Sequence, residues 1–343
     1  MALLDCAVYV DGRRVAGGHE AEGRGDPETV IREARARGGL AWISLSRTGD
    51  GELQRIAELL DLNPLAVRDC LTGHQRSKLE RYGDVTFVVL QPARYFDDRE
   101  TVECSEVDLF IGPDFVLTVD SDDWIDDEFV RRKLDADPEI LAKGPFAVLW
   151  AMFEHLLAAY RPVLEGVEND IDEIEEQLFS RDEGVSRRIF KLQREVIDMQ
   201  HATAALPDML ERIQEIVARS SQPAVAPAFH DIEDSVRHLT DRVDAFRHTL
   251  GSALGVHATL VEQANSEAMR RMTEFSITQN DQVKKVSSWA AILFAPTLVG
   301  TIYGMNFHFM PELSWTWGYP MALGLMVATS VTLYFLFKRR GWL

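Results

Sequence analysis

The rhythm of apolar and polar positions changes twice along the chain. Up to about residue 140, short apolar runs dominate. LAWISLS (40–46), VTFVVLQPARYF (85–96), VDLFIG (107–112) and DFVLTVD (114–120) are rich in β-branched and aromatic residues and predict strands. Between them DGELQRIAELLDL (50–62) has helical spacing, and NPLAVRDCL (63–71) opens a helix with Asn63 as N-cap and Pro64 in the first turn. From about 145 the period becomes helical throughout. Pro145 to Phe179 and Val185 to Arg219 read as two long helices separated at Arg181 to Gly184. SSQPAVAP (220–227) is a proline-rich break, and the next proline after Pro227 is Pro296. Ala228 to Ala295 therefore predicts one helix of about 100 Å at 1.5 Å per residue. No helix of that length is stable alone, so it must pack laterally, against the preceding helices and against copies of itself.

The third rhythm is continuous apolarity. No Asp, Glu, Lys or Arg occurs from Val286 to Pro311, and after Glu312 none occurs until Lys338. Each run exceeds the roughly 20 residues that cross a bilayer as a helix. The spans are placed at 286–303 and 318–338, joined by a loop at 304–317. Lys284 and Lys285 precede the first span, and Lys338, Arg339 and Arg340 follow the second. The positive-inside rule then puts both ends in the cytoplasm and the loop outside. Trp289, Tyr303, Trp315, Trp317, Tyr319 and Trp342 fall near the expected interfaces.

Charge sharpens the division. The 343 residues carry −19, while the last 58 hold one acid and three bases, so residues 1–285 carry −21. An acidic body of this kind excludes nucleic acid as a partner, because phosphate binding needs a basic surface. The start, MALLDCAVYVDG, lacks a basic n-region and reads as a folded N-terminus. Cys6, Cys70 and Cys104 are widely spaced, which disfavours a disulfide framework or a zinc-thiolate site. There is no GxSxG, Walker loop, HExxH or GxGxxG at a strand–helix junction, so the enzyme reading is weak. Glu165, Glu168, Asp170, Asp172, Glu173, Glu175 and Glu176 crowd one helix without a Lys or Arg partner. This is either a solvated face or a divalent-cation surface that relieves the mutual repulsion.

The first span carries a stripe. Asn280, Val283, Ser287, Ala290, Phe294, Thr297, Thr301 and Gly304 alternate in steps of three and four, which is one face of a helix in a left-handed bundle. Polar groups in a span face protein or a water-filled path. An anchor that uses the stripe as a dry helix contact and a pore that uses it as a lining both remain open. Two spans cannot enclose a path, so a pore requires a symmetric oligomer with the first helices inside.

Gly304-Met305-Asn306 at the outer end of that span, followed by MPEL (310–313), resembles the signature of the CorA family of magnesium channels. APTLVGTIYGMNF (295–307), the Tyr319–Pro320 pair, the basic end KRRGWL and HQRSKLERYGDVTFVVL (74–90) extend the resemblance over essentially the whole chain. It implies a funnel-shaped homopentamer in the cell membrane, with an α+β cytoplasmic domain (1–140), acidic antiparallel helices (141–227) and a stalk helix (228–285). The stalk becomes pore helix 286–303; the loop 304–317, outer span 318–338 and cytoplasmic tail 339–343 follow. It implies Mg²⁺ as cargo, with Co²⁺ and Ni²⁺ also passing, and no organic cofactor. Because Mg²⁺ gives up inner water reluctantly, a ring of Asn306 side-chain carbonyls suits the hydrated ion. Gly304 would permit a turn that exposes carbonyls, and Met305 would brace the loop, since thioether is a poor Mg²⁺ ligand. Phe294, Val283 and Val286 would form dewetting constrictions, with Asn280, Thr297 and Thr301 offering oxygens. Glu312 would be merely solvated or would concentrate cations at the mouth; His308 would be a weak contact for softer ions.

The family also implies regulation by intracellular Mg²⁺ held by carboxylates between neighbouring subunits. HDIEDS (230–235) places Asp231 there, with Asp234 a turn later; YFDD (95–98) places Asp97 opposite; Asp170 and Asp172 match the acidic helix. A second stalk acid would fall near Gly255, which cannot ligate. The runner-up readings are a zinc transporter of the ZntB branch, which shares the triplet, and a membrane-anchored acidic binding protein.

Overall fold

The computed structural model describes residues 2–15, 26–46, 51–73, 76–120, 124, 127–180, 184–220, 223–305 and 310–343. It divides into two compact units, Met1–His257 and Ala258–Leu343.

The first unit is built on a seven-stranded sheet. Its strands are β1 (Ala2–Val10), β2 (Arg13–Val15), β3 (Leu40–Ser46), β4 (Lys78–Tyr82), β5 (Val85–Leu90), β8 (Val107–Ile111) and β9 (Phe115–Asp120), in the order β2-β1-β3-β9-β8-β5-β4. Only β3 and β9 pair in parallel; the other neighbours are antiparallel. Strands β6 (Ala93–Phe96) and β7 (Thr101–Cys104) form a separate two-stranded ribbon. The apolar run at 85–96 is thus two strands and not one, broken at Gln91-Pro92, because proline cannot donate to a ladder.

Alternation along the strands explains the layering. Ala41, Ile43, Leu45, Phe87, Val89, Phe110 and Leu117 point to one face, packing on α1 (Pro27–Arg37), α2 (Gly51–Leu59) and α3 (Pro64–Thr72). Leu40, Trp42, Val88, Leu90, Leu109 and Val116 point to the other. That face packs on α4 (Asp127–Ala136), α5 (Pro138–Leu141) and the long helices α6 (Phe146–Ser180), α7 (Val185–Thr203) and α8 (Leu206–Arg219). The fold is α+β. Asn63 caps α3 as expected, its side chain accepting from the Leu65 N–H at 2.8 Å.

The helix expected over 185–219 is interrupted. It ends at Thr203 and resumes at Leu206 as α8, because Pro207 has no N–H to give and its ring opposes the preceding carbonyl turn. Helix α9 runs from Ala226 to Tyr303, 78 residues, and continues through Pro296. Its portion in the first unit buries Phe229, Ile232, Val236, Leu239, Val243, Phe246, Leu250 and Ala253, steps of three and four that make a single seam. The second unit holds the rest of α9, a short turn of 3₁₀ helix (Pro311–Ser314) and α10 (Gly318–Arg339). Both α9 and α10 contain a stretch long and apolar enough to cross a membrane.

Candidate ion pathway and acidic sites

In the second unit, α10 touches one side of α9. Ser288 and Val299 are buried on α9, and a Cβ added at Gly300 would stand 3.4 Å from Met326 Cε. Pro296 lacks the N–H that would bond the Ile292 carbonyl four residues back. Ser330 on α10 fills that role, its hydroxyl donating to the Ile292 carbonyl at 3.4 Å. In a lipid environment an unsatisfied carbonyl costs several kcal/mol, so this cross-helix bond offsets the proline.

The stripe lies on the side left open. Asn280, Val283, Ser287, Ala290, Phe294, Thr297, Thr301 and Gly304 are all exposed. So are Val286, Trp289, Leu293, Leu298 and Ile302, which flank it; exposure does not separate the two groups, but chemistry does. The flanking side chains are wholly apolar apart from the indole N–H, while the stripe carries an amide and three hydroxyls. Thr301 donates its hydroxyl proton to the Thr297 carbonyl at 2.8 Å, which leaves the lone pairs of the exposed hydroxyl oxygen free to accept.

At the end of α9 the chain turns at Gly304, whose N–H donates to the Gly300 carbonyl at 2.9 Å. Gly304 is not in the left-handed region. A Cβ there would stand 3.2 Å from the Gly300 carbonyl oxygen, a tight contact that a shift of a few tenths of an ångström relieves. Met305 is exposed at this turn. Asn306 and His308 lie outside the described residues. Glu312 sits exposed in the 3₁₀ turn, and the turn is held against α10 by Gly318, where a Cβ would come within 2.1 Å of the Glu312 carbonyl oxygen.

The acidic helix differs from expectation. Three of its seven carboxylates have basic partners, contributed by other helices. Arg242 of α9 pairs with Glu168, and Arg188 of α7 reaches Asp170 at 3.3 Å and Glu173 at 2.6 Å. The same guanidinium reaches Glu100 at 3.0 Å. Oxygens of Glu100, Asp170 and Glu173 lie within 4.8 Å of one another, the one such carboxylate group among the described residues. Asp170 is buried and accepts the Tyr95 hydroxyl at 2.9 Å. Burial raises its carboxyl above 3.8, with Glu100 and Glu173 adding to the rise and the Tyr95 bond and Arg188 opposing it. Asp170 is already engaged by Tyr95 and Arg188, and it belongs to the carboxylate group that could hold a metal ion. Asp97, Asp172, Asp231 and Asp234 are exposed and do not join this group. Tyr95, Glu100 and Arg188 were not singled out from the sequence; 88 residues separate Glu100 from Arg188, and no local spacing signals their meeting.

The sequence pattern described as "CorA-like Mg2+ transporter protein" matches residues 37–339. The chain belongs to this family. Family members are ion channels or transporters and not enzymes, and they form homo-oligomers. The "Cobalt/magnesium transport protein CorA" of Thermotoga maritima is 29% identical over 308 residues, covering 88% of this chain and 83% of that protein. The "Magnesium transport protein CorA" of Haemophilus influenzae strain Rd is 27% identical over 328 residues, covering 88% of this chain and all of that protein. Among solved structures, the complete CorA magnesium transporter of Methanocaldococcus jannaschii matches with a TM-score of 0.53, 18% identity and full coverage of both chains. At that identity the last likeness speaks to the fold.

Proposed function

We propose that the chain is a divalent-cation channel of the cell membrane that admits hydrated Mg²⁺, with Co²⁺ and Ni²⁺ also passing, through a homopentameric pore lined by α9. The observation that carries this reading is the stripe from Asn280 to Thr301. It stays clear of α10, presents hydroxyl and amide oxygens among apolar rings, and leads to Gly304-Met305-Asn306. Asn306 forms the entrance ring that accepts hydrogen bonds from the ion's water shell, and Glu312 raises cation concentration at the mouth. Phe294 and Val283 are the narrow apolar levels. Both chain ends are cytoplasmic, as Lys284, Lys285, Lys338, Arg339 and Arg340 require under the positive-inside rule. The names of the two relatives, with their near-complete coverage, support Mg²⁺ and Co²⁺ as cargo.

Intracellular Mg²⁺ regulates the channel through carboxylates at subunit boundaries. Asp97, Asp231 and Asp234 serve there because they are exposed; Asp172 is exposed as well, whereas Asp170 is committed to Tyr95 and Arg188. Ligands on separate chains and an ion that keeps most of its waters give weak binding, suited to sensing Mg²⁺ at the level of a cell's free pool.

The deciding experiment is Mg²⁺ flux into liposomes carrying the purified protein, beside the Asn306→Ala variant. Wild-type flux with a collapse of at least ten-fold in an intact Asn306→Ala oligomer is expected, corresponding to about 1.4 kcal/mol or more in the barrier. Near wild-type flux in the variant would remove Asn306 from the entrance; absence of flux in the wild type would return the chain to the anchor reading.

A further inference from the structure

From the geometry we infer that one face of α7, made by Arg188, Lys191 and Glu195, positions the turn that carries Asp97, so that this carboxylate meets its Mg²⁺ in a preset place. The inference rests on the reading of Asp97 as a regulatory ligand.

A two-stranded ribbon is marginal by itself in water. Strands β6 and β7 are such a ribbon, hydrogen-bonded to each other and outside the seven-stranded sheet. Phe96 pairs with Thr101, so Asp97, Asp98, Arg99 and Glu100 make the connecting turn. Its position is therefore set by whatever the ribbon docks on. Residues 188, 191 and 195 are spaced by three and four and share a helix face. Each touches the ribbon differently. Arg188 binds the Glu100 carboxylate at 3.0 Å. Lys191 Nζ donates to the backbone carbonyls of Arg99 at 2.8 Å and Glu100 at 3.2 Å. Glu195 accepts the Val102 N–H at 2.9 Å. On the other side, Gly166 of α6 leaves room for the Tyr95 ring, and Asp170 takes the Tyr95 hydroxyl.

The turn needs this support. Glu100 has φ 47°, a left-handed conformation that a residue with a side chain rarely adopts. Lys191 grips the carbonyls of the two peptides that flank this residue. Arg188 adds a resident positive charge among Glu100, Asp170 and Glu173, so the docking does not wait for a divalent ion. Asp97, two and three residues before the gripped carbonyls, is exposed and has no ion pair among the described residues, which leaves its carboxylate for a partner.

Lys191→Met tests the inference, because the side chain is exposed and its length is kept. The competing electrostatic account has the opposite sign: removing a positive charge near Asp97 strengthens Mg²⁺ binding there. Lost positioning weakens it. In the full-length protein, the Mg²⁺ midpoint for protection from limited proteolysis is measured alongside the midpoint for inhibition of flux. Lys191→Met should raise both by about five-fold, the lower end of usual coupling effects, and Lys191→Arg should restore them. Flux at low Mg²⁺ should hold, which a general loss of folding would not allow. Asp97→Asn runs in parallel and should raise the same midpoints. A shift in Asp97→Asn with an unchanged or lowered midpoint in Lys191→Met overturns the positioning role and leaves Asp97 in place. No shift in Asp97→Asn overturns Asp97 as the ligand, and the positioning role with it.

Discussion

Gly166 offers a test whose sign depends on a single neighbour. It lies inside α6, where replacing glycine by alanine ordinarily adds about 1 kcal/mol of helix stability. Here a Cβ would stand 2.5 Å from Tyr95 Cδ1, with two further ring atoms at 2.6 and 2.7 Å. Carbon atoms rest about 3.5–4.0 Å apart, so the ring must move by about 1 Å. Such overpacking costs about 1–3 kcal/mol. The same movement stretches the 2.9 Å bond from the Tyr95 hydroxyl to Asp170 past hydrogen-bonding range. Leaving a buried acceptor short of a donor costs about 1–3 kcal/mol more. After the helix gain the net loss for Gly166→Ala is about 3 kcal/mol, or a fall of about 6–12 °C in melting temperature. In a Tyr95→Ala background the obstacle is gone, and Gly166→Ala should then stabilise by about 1 kcal/mol. Thermal unfolding of the four proteins, followed by circular dichroism in detergent, completes the cycle. Stabilisation by Gly166→Ala in the otherwise native chain would falsify the docking of the ribbon against α6.

Other consequences follow from the same geometry. Burial raises the Asp170 carboxyl above 3.8, so the folded chain holds that proton more tightly than the unfolded one, and the group's contribution to stability falls as pH rises from about 3.8 through its folded pKa. Asp170→Asn should remove this descending part from a plot of melting temperature against pH; an identical slope in the variant argues against the assignment. Ser330→Ala should leave the Ile292 carbonyl without its donor and lower the melting temperature by an amount equivalent to about 0.6–1.7 kcal/mol, whereas the same change in a Pro296→Ala background should cost nearly nothing. Cobalt(III) hexammine, a stable mimic of a hydrated divalent ion, should block flux; full flux at saturating concentration means the ion is not taken as a hydrate.

Much of the second unit was legible in the sequence because hydrocarbon imposes a local rule. Charges are excluded over a fixed length, so Val286–Pro311 and the run after Glu312 declare themselves without any tertiary information. The stripe from Asn280 to Thr301 was equally readable, since a helix converts spacing directly into direction. The strands at 40–46, 107–111 and 115–120 likewise follow from short β-branched runs. Contacts between distant segments were not readable. The acidic helix looked unpartnered because its partners, Arg188 and Arg242, lie on α7 and α9. Ion pairing depends on distance in space, and sequence separation carries no trace of it. The ribbon β6–β7 hid inside one apolar run plus a polar stretch, and only its docking on α6 and α7 gives Gly166, Tyr95 and Lys191 a meaning. Pro296 shows the same division: the sequence places a helix breaker within a span, and the fold supplies Ser330 to satisfy the carbonyl that the proline leaves free.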